Sequence, residues 1–209
     1  MYSLSDTPVT LTLLFANIAI SLWAFYGNPV YMHRFSEWPY EIIHEKKYYQ
    51  IVTSAFLHAN FMHLFFNMFA LFTFGAFLEG FFMENFGSFS GSLYFFLIYF
   101  ISLLCGSFLT VAFHYNDPNY VAVGASGAVS GIVFSYIIFF PSSMLYVFFI
   151  PMPAYLFAFL WIGFSIYGMR SKLGNIGHEA HLGGALGGFV STLLLVNGAT
   201  KILLSHFNL

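Results

Sequence analysis

The 209-residue sequence predicts an all-α membrane protein, a bundle of six transmembrane helices, on three observations. Its side chains are 59% hydrophobic and 22% aromatic, with only 7% charged, against roughly a quarter charged in soluble domains. Apolar runs of about 17 to 25 residues recur along the chain, each long enough to cross a hydrocarbon layer of about 30 Å. Lipid offers no partner to backbone N–H and C=O groups, so such runs take the helical form.

The predicted spans are 8–26, 60–79, 91–113, 126–140, 153–169 and 178–197. The first run, Pro8 to Tyr26, is followed by no small-residue cleavage site and reads as a retained span. The connection 27–59 is the longest, and it mixes His33, Arg34, Glu37, Glu41, His44, Glu45, Lys46 and Lys47 with aromatics. That composition suits short helices resting among lipid headgroups. Asn60 is the expected N-cap of the second span, and Pro153 a first-turn proline of the fifth. "SSMLYVFFIP", 142–151, is too short to cross and is expected at the interface or in a loop. No internal repeat or second composition appears, so residues 1–209 read as one membrane-embedded domain.

The charge pattern excludes one large class. Net charge is −2 and no basic run exceeds Lys46-Lys47, so no footprint for nucleic acid exists. A single cysteine, Cys105 in an apolar run, reads as a buried thiol and rules out an internal disulfide.

Polar groups inside spans are costly and face other helices or water. In "HANFMHLFFNMF", 58–69, His63 and Asn67 stand four apart on one helix face, with His58 just upstream. In "VAVGASGAVSGIV", 121–133, Ser126 heads the fourth span between glycines. In "GHEAHLGGALGG", 177–188, His181 opens the sixth, with Gly184 and Gly188 on its own face. Gly127 with Gly131, and Gly184 with Gly188, form small-xxx-small stripes that let two helix backbones meet. Packed through them, the fourth and sixth spans bring Ser126 and His181 within reach, and a serine needs a neighbouring base to become a nucleophile. A helix start also offers unpaired N–H groups to an oxyanion, and His63 and Asn67 add side-chain donors.

Taken singly, each feature has a plainer reading. A serine among glycines is a packing device, a membrane asparagine is interhelical glue, and a lone histidine is a satisfied core residue. Packing alone does not call for all of them together. "GASGA" lacks the final glycine and preceding strand of a nucleophile elbow, and "HEAH" is one residue short of the H-E-x-x-H metal motif. Metal or haem ligation by His63, His178 or His181 stays open as a lesser alternative, and no cofactor is expected.

Three segments together resemble the rhomboid family of intramembrane serine proteases: "HANFMHLFFN" (58–67), "GASG" (124–127) and "AHLGGALGG" (180–188). They stand in the family's order, on its second, fourth and sixth spans, so a rhomboid-like bundle is implied over nearly the whole chain. The resemblance implies Ser126 as nucleophile and His181 as general base, a dyad without a third, acidic member. It implies an oxyanion hole from His63, Asn67 and the Ser126 backbone N–H, with Gly124 to Gly127 shaping the loop and His58 structural. The fifth span, with "FFIPMP" before it, corresponds to the mobile side of the substrate gate. The implied substrates are transmembrane segments with small residues at the scissile bond; the implied partners are those proteins and the bilayer, and no cofactor is used.

Two departures stand out. The aromatic that many members carry four residues after the serine is Ser130 here, so the base is expected to be held less firmly or by a hydroxyl. The Trp-Arg pair of the first loop is Tyr49-Gln50, which removes an arginine anchor. The family places the first, third and fifth loops outside the cytosol, yet Arg34, Lys46, Lys47, Arg170 and Lys172 fall on that side and only Lys201 on the other, against the positive-inside rule. A multi-pass protein of a prokaryotic inner membrane is the expected setting. The competing functions are an inactive rhomboid-like chaperone that binds transmembrane helices, and a small transporter relaying protons through His63, Asn67 and His181.

Overall fold

A computed structural model describes residues 3–147, 149–171 and 177–207. The first long helix, α1 (Pro8–Tyr26), starts on a proline, as a first turn tolerates. The long connection holds three short helices, α2 (Val30–Phe35), α3 (Pro39–His44) and α4 (Gln50–Thr53). Next come α5 (Phe61–Ala70) and α6 (Ala76–Phe86), joined without interruption by a π-helical turn at Leu71–Gly75. Then α7 (Ser88–His114), α8 (Ser126–Phe139), α9 (Ala154–Ser171), α10 (His178–Leu195) and α11 (Ala199–Ser205) follow.

All six predicted segments fall on helices. Among the described residues, Pro8–Tyr26, Phe61–Phe86 and Ser88–His114 are long and apolar enough to cross a membrane alone, and α10 with α11, bent by 109°, forms a fourth candidate. The second segment runs to Phe86, past its expected end at 79. Glu79, at that expected end, is fully buried, and its carboxylate accepts from Val9 N (3.0 Å), Thr10 N (2.8 Å) and Ser92 Oγ (2.7 Å). It thereby caps the first turn of α1, whose N–H groups have no intrahelical acceptor. The expected N-cap holds: Asn60 Oδ1 accepts from His63 N at 2.9 Å.

Residues 142–153 differ from a plain loop. Strands β1 (Met144–Val147) and β2 (Ile150–Pro153) pair antiparallel, with Met144 opposite Pro153. Pro153 therefore ends a strand and α9 starts one residue later, on Ala154.

The bundle centre is set by glycines. A Cβ on Gly184 would lie 2.0 Å from the Gly127 carbonyl oxygen, and one on Gly188 would lie 2.2 Å from that of Gly131. Backbones this close require hydrogen in place of a side chain, and van der Waals contact replaces a hydrophobic drive that lipid cannot supply. Thr192 Oγ1 donates to Ser135 Oγ across the same seam at 2.7 Å. The adjacent face of α10 does the same against α7, where Gly183 and Gly187 abut Cys105. α10 is thus wedged between α7 and α8, and its first turn sits beside the start of α8.

Candidate active site

The segment before α8 is tied down from outside. Glu37 and Ala122 exchange backbone hydrogen bonds (2.9 and 3.0 Å), and Gly124 N donates to Ser54 O at 3.0 Å. Glu37 is buried, and its carboxylate accepts from Ser107 Oγ on α7. Burial pushes the Glu37 carboxyl up to about 8, against the Ser107 hydrogen bond, which acts to lower it. Tyr120 is held above its usual value by burial and then by the carboxylates of Glu179 and Glu37. Its ring stacks on His114 at 3.5 Å, and His114 Nε2 lies 3.3 Å from Glu179 Oε1, near enough for an ion pair but out of line for a hydrogen bond.

The loop itself is anchored without an arginine. Gln50 is fully buried, accepts from Trp38 N at 3.2 Å and donates to Glu41 Oε2 at 2.8 Å, while Lys47 Nζ bridges Glu41 (3.1 Å) and Glu45 (2.9 Å). The amide of Gln50 thus supplies an anchor that the Tyr49-Gln50 departure put in question.

Held this way, the chain turns at Gly124 with φ +126°, a conformation that favours glycine. A Cβ there would also lie 2.6 Å from the His63 ring. Ser126 follows as the first residue of α8 and is half-buried. The first helical hydrogen bond runs from Val129 N to Ala125 O at 2.9 Å, so the N–H groups of Ser126, Gly127 and Ala128 are left for other acceptors. At 14 residues α8 is about 21 Å long, short of a hydrocarbon layer of about 30 Å.

Ser126 opens onto a cavity of 1740 Å³, whose lining includes His63, Asn67, Gly124, His178 and His181. The three sequence segments thus meet on one space. Ser126 and His181 share it with no hydrogen bond between them among the described residues. On α5, Ala59 N lies 3.5 Å from His63 Nδ1, which leaves Nε2 as the nitrogen carrying a proton in the neutral ring. Asn67 Nδ2 donates one hydrogen to His63 O at 3.0 Å, and its second remains for the cavity.

His58, for which the resemblance implied a structural role, stands behind the cavity wall. It is fully buried, its Nδ1 is 2.9 Å from Ser21 Oγ of α1, and its ring meets that of His63 edge-on at 5.0 Å. A fourth helix contributes what the sequence did not signal. The Trp161 indole of α9 stacks on the His181 imidazole with ring centres 5.2 Å apart, where Ser130 supplies no ring. Phe164 meets His178 edge-on at 5.1 Å. Among the described residues no three His, Cys, Asp or Glu side chains converge as metal ligands would.

Comparisons with known proteins identify the family. The family profile described as the Rhomboid domain matches residues 45–198. The chain is 32% identical over 195 residues to "RHOMBOID-like protein 12, mitochondrial" of Arabidopsis thaliana, covering 88% of this chain and 57% of that protein. It is 30% identical over 182 residues to "Putative rhomboid protease YdcA" of Bacillus subtilis, covering 84% and 83%. To "Rhomboid protein 1, mitochondrial" of Saccharomyces cerevisiae it is 30% identical over 145 residues, covering 66% and 39%. The chain therefore spans little more than half of the Arabidopsis relative and less than half of the yeast one. With the profile covering most of the sequence and its three motif segments drawn onto one cavity in a helical membrane bundle, the chain belongs to the rhomboid family.

Proposed function

We propose that this protein is an intramembrane serine endopeptidase, with Ser126 as nucleophile and His181 as general base. The single observation that carries the reading is that both side chains open onto one cavity, at helix starts joined by backbone contact between Gly127 and Gly184. In the proposed cycle the Ser126 oxygen attacks the scissile carbonyl carbon while its proton passes to His181. The oxyanion accepts from the Ser126 N–H, His63 Nε2 and Asn67 Nδ2, groups of residues that line the same cavity. Collapse breaks the C–N bond, and the leaving amine takes the proton from His181. Water from the cavity then attacks the acyl ester, returning its proton through His181 and freeing Ser126 and the new carboxylate. No cofactor enters.

The proposed substrates are transmembrane segments of other membrane proteins: a serine heading a helix too short to cross the hydrocarbon layer is proposed to lie below the membrane surface, where it reaches a peptide bond only inside the bilayer. The proposed setting is a prokaryotic inner membrane, in keeping with a Bacillus subtilis relative aligned over 83% of its length. Incubating purified protein with a transmembrane reporter tests the reading. Cleavage by the parent and none by Ser126→Ala is expected; equal cleavage by both would reject it.

A further inference from the structure

Resting on the proteolytic reading above, we propose that Trp161 is a positioning residue for the base: its indole fixes the plane of the His181 imidazole, so that the seating of α9 sets whether the dyad is competent. A catalytic histidine is ordinarily oriented by a hydrogen bond from its second ring nitrogen to a carboxylate or carbonyl. Here that means is missing, because His181 Nδ1 is buried and has no hydrogen-bond partner among the described residues. Ring contact takes its place. Phe157 stacks on Trp161 at 5.5 Å and Trp161 on His181 at 5.2 Å, with interplanar angles of 27° and 26°, so three rings form a column.

The same face of α9 continues onto the neighbouring histidine. Phe164 meets the His178 ring, and Gly168 lies so close to it that a Cβ would come within 2.3 Å. Residues 157, 161, 164 and 168 repeat at helical spacing, so one stripe covers both imidazoles in the first turn of α10. Otherwise α9 is weakly held: of its residues only Ala154, Ser165 and Gly168 are buried, while Phe159, Leu160 and Tyr167 are exposed. Outward movement of α9 would strip the ring from His181 before it disturbed the contact of α8 with α10. Base alignment and the position of α9 are then one variable.

The test separates alignment of the base from entry of a substrate helix. A small fluorophosphonate reaches Ser126 through the cavity and needs no passage for a helix, so its labelling rate reports the base alone. Trp161→Phe keeps a ring, whereas Trp161→Leu and Trp161→Met keep bulk without one. Labelling is expected to stay within a few-fold of the parent for Phe and to fall on the order of tenfold for Leu and Met, the scale of an aromatic stacking preference. Reporter kcat is expected to fall in parallel with little change in KM, and thermal unfolding of each variant, with Met standing in should Leu unfold, guards against loss of the fold. Equal labelling in all variants would overturn the proposal, as would an equal loss that includes Phe. Faster reporter cleavage with unchanged labelling would also overturn it, by showing that Trp161 only obstructs entry. Failure of the proteolytic reading itself looks different, since Ser126→Ala would then label or cleave like the parent.

Discussion

At Gly124 two requirements coincide: a backbone with φ +126° and an imidazole edge where a Cβ would otherwise sit. The residue thus sets both the turn into α8 and the seat of His63, one of two side-chain donors proposed for the oxyanion. Removing such a donor costs on the order of 100- to 1000-fold in kcat in serine hydrolases. His63→Ala and Asn67→Ala are each expected to lower reporter kcat on that scale with KM nearly unchanged; a rise in KM at constant kcat would assign them to binding instead. Glu37 yields a second prediction. Its folded value of about 8 lies above the ordinary 4.5, so between those values the folded state holds a proton that the unfolded state has lost. Stability then declines as pH rises through that window, by up to about 1.4 kcal/mol per unit from this group. Compared with Glu37→Gln, the parent is expected to lose unfolding temperature steadily from pH 5 to 8; parallel curves would contradict the burial of a protonated carboxyl.

At the scale of elements, the seam between α8 and α10 makes the site possible. Gly184→Ala would place a methyl 2.0 Å from the Gly127 carbonyl oxygen, whereas at Gly163 a Cβ meets nothing within 4 Å among the described residues. The first substitution is expected to destabilise by about 1 to 3 kcal/mol, as overpacking does, and to reduce cleavage more than stability alone explains. Gly163→Ala serves as a control expected to leave both unchanged. This seam was legible in sequence because small residues four apart are a direct statement about backbone distance. The caps and ring contacts were not. Glu79 looks like the end of a span until α1 is seen to supply its donors, and Trp161 is one aromatic among many in an apolar run. Gln50 gave no sign of anchoring the first loop, since its partners Trp38 and Glu41 come from elsewhere in that loop. The pairing of β1 with β2 was missed because two prolines argue against strands, yet both lie on β2, whose one neighbour among the described residues is β1.

For the whole molecule, the charge pattern and the orientation implied by the family pull in opposite directions. Arg34, Lys46 and Lys47 stand on the loop beside the site and Arg170 in the last turn of α9, on the side the positive-inside rule assigns to the cytosol; Lys172 lies outside the described residues. Lys47 is engaged with Glu41 and Glu45, which offsets part of that excess. With Cys105 replaced, Asn28→Cys is expected to react with an impermeant thiol reagent in intact cells and Lys201→Cys only after lysis. The opposite pattern would place the cavity on the cytosolic face. Legibility was highest at this scale, where composition and run length alone specify a helical membrane bundle.

All of this depends on one pair of side chains, contributed by separate helices, acting together on a common cavity. Intact-mass measurement of the purified protein after fluorophosphonate treatment tests that most directly. The account predicts a single adduct at Ser126 in the parent and none in Ser126→Ala or His181→Ala, with both variants folded. An adduct of equal extent in His181→Ala would contradict it, because the serine would then be activated by something other than the imidazole across the glycine seam.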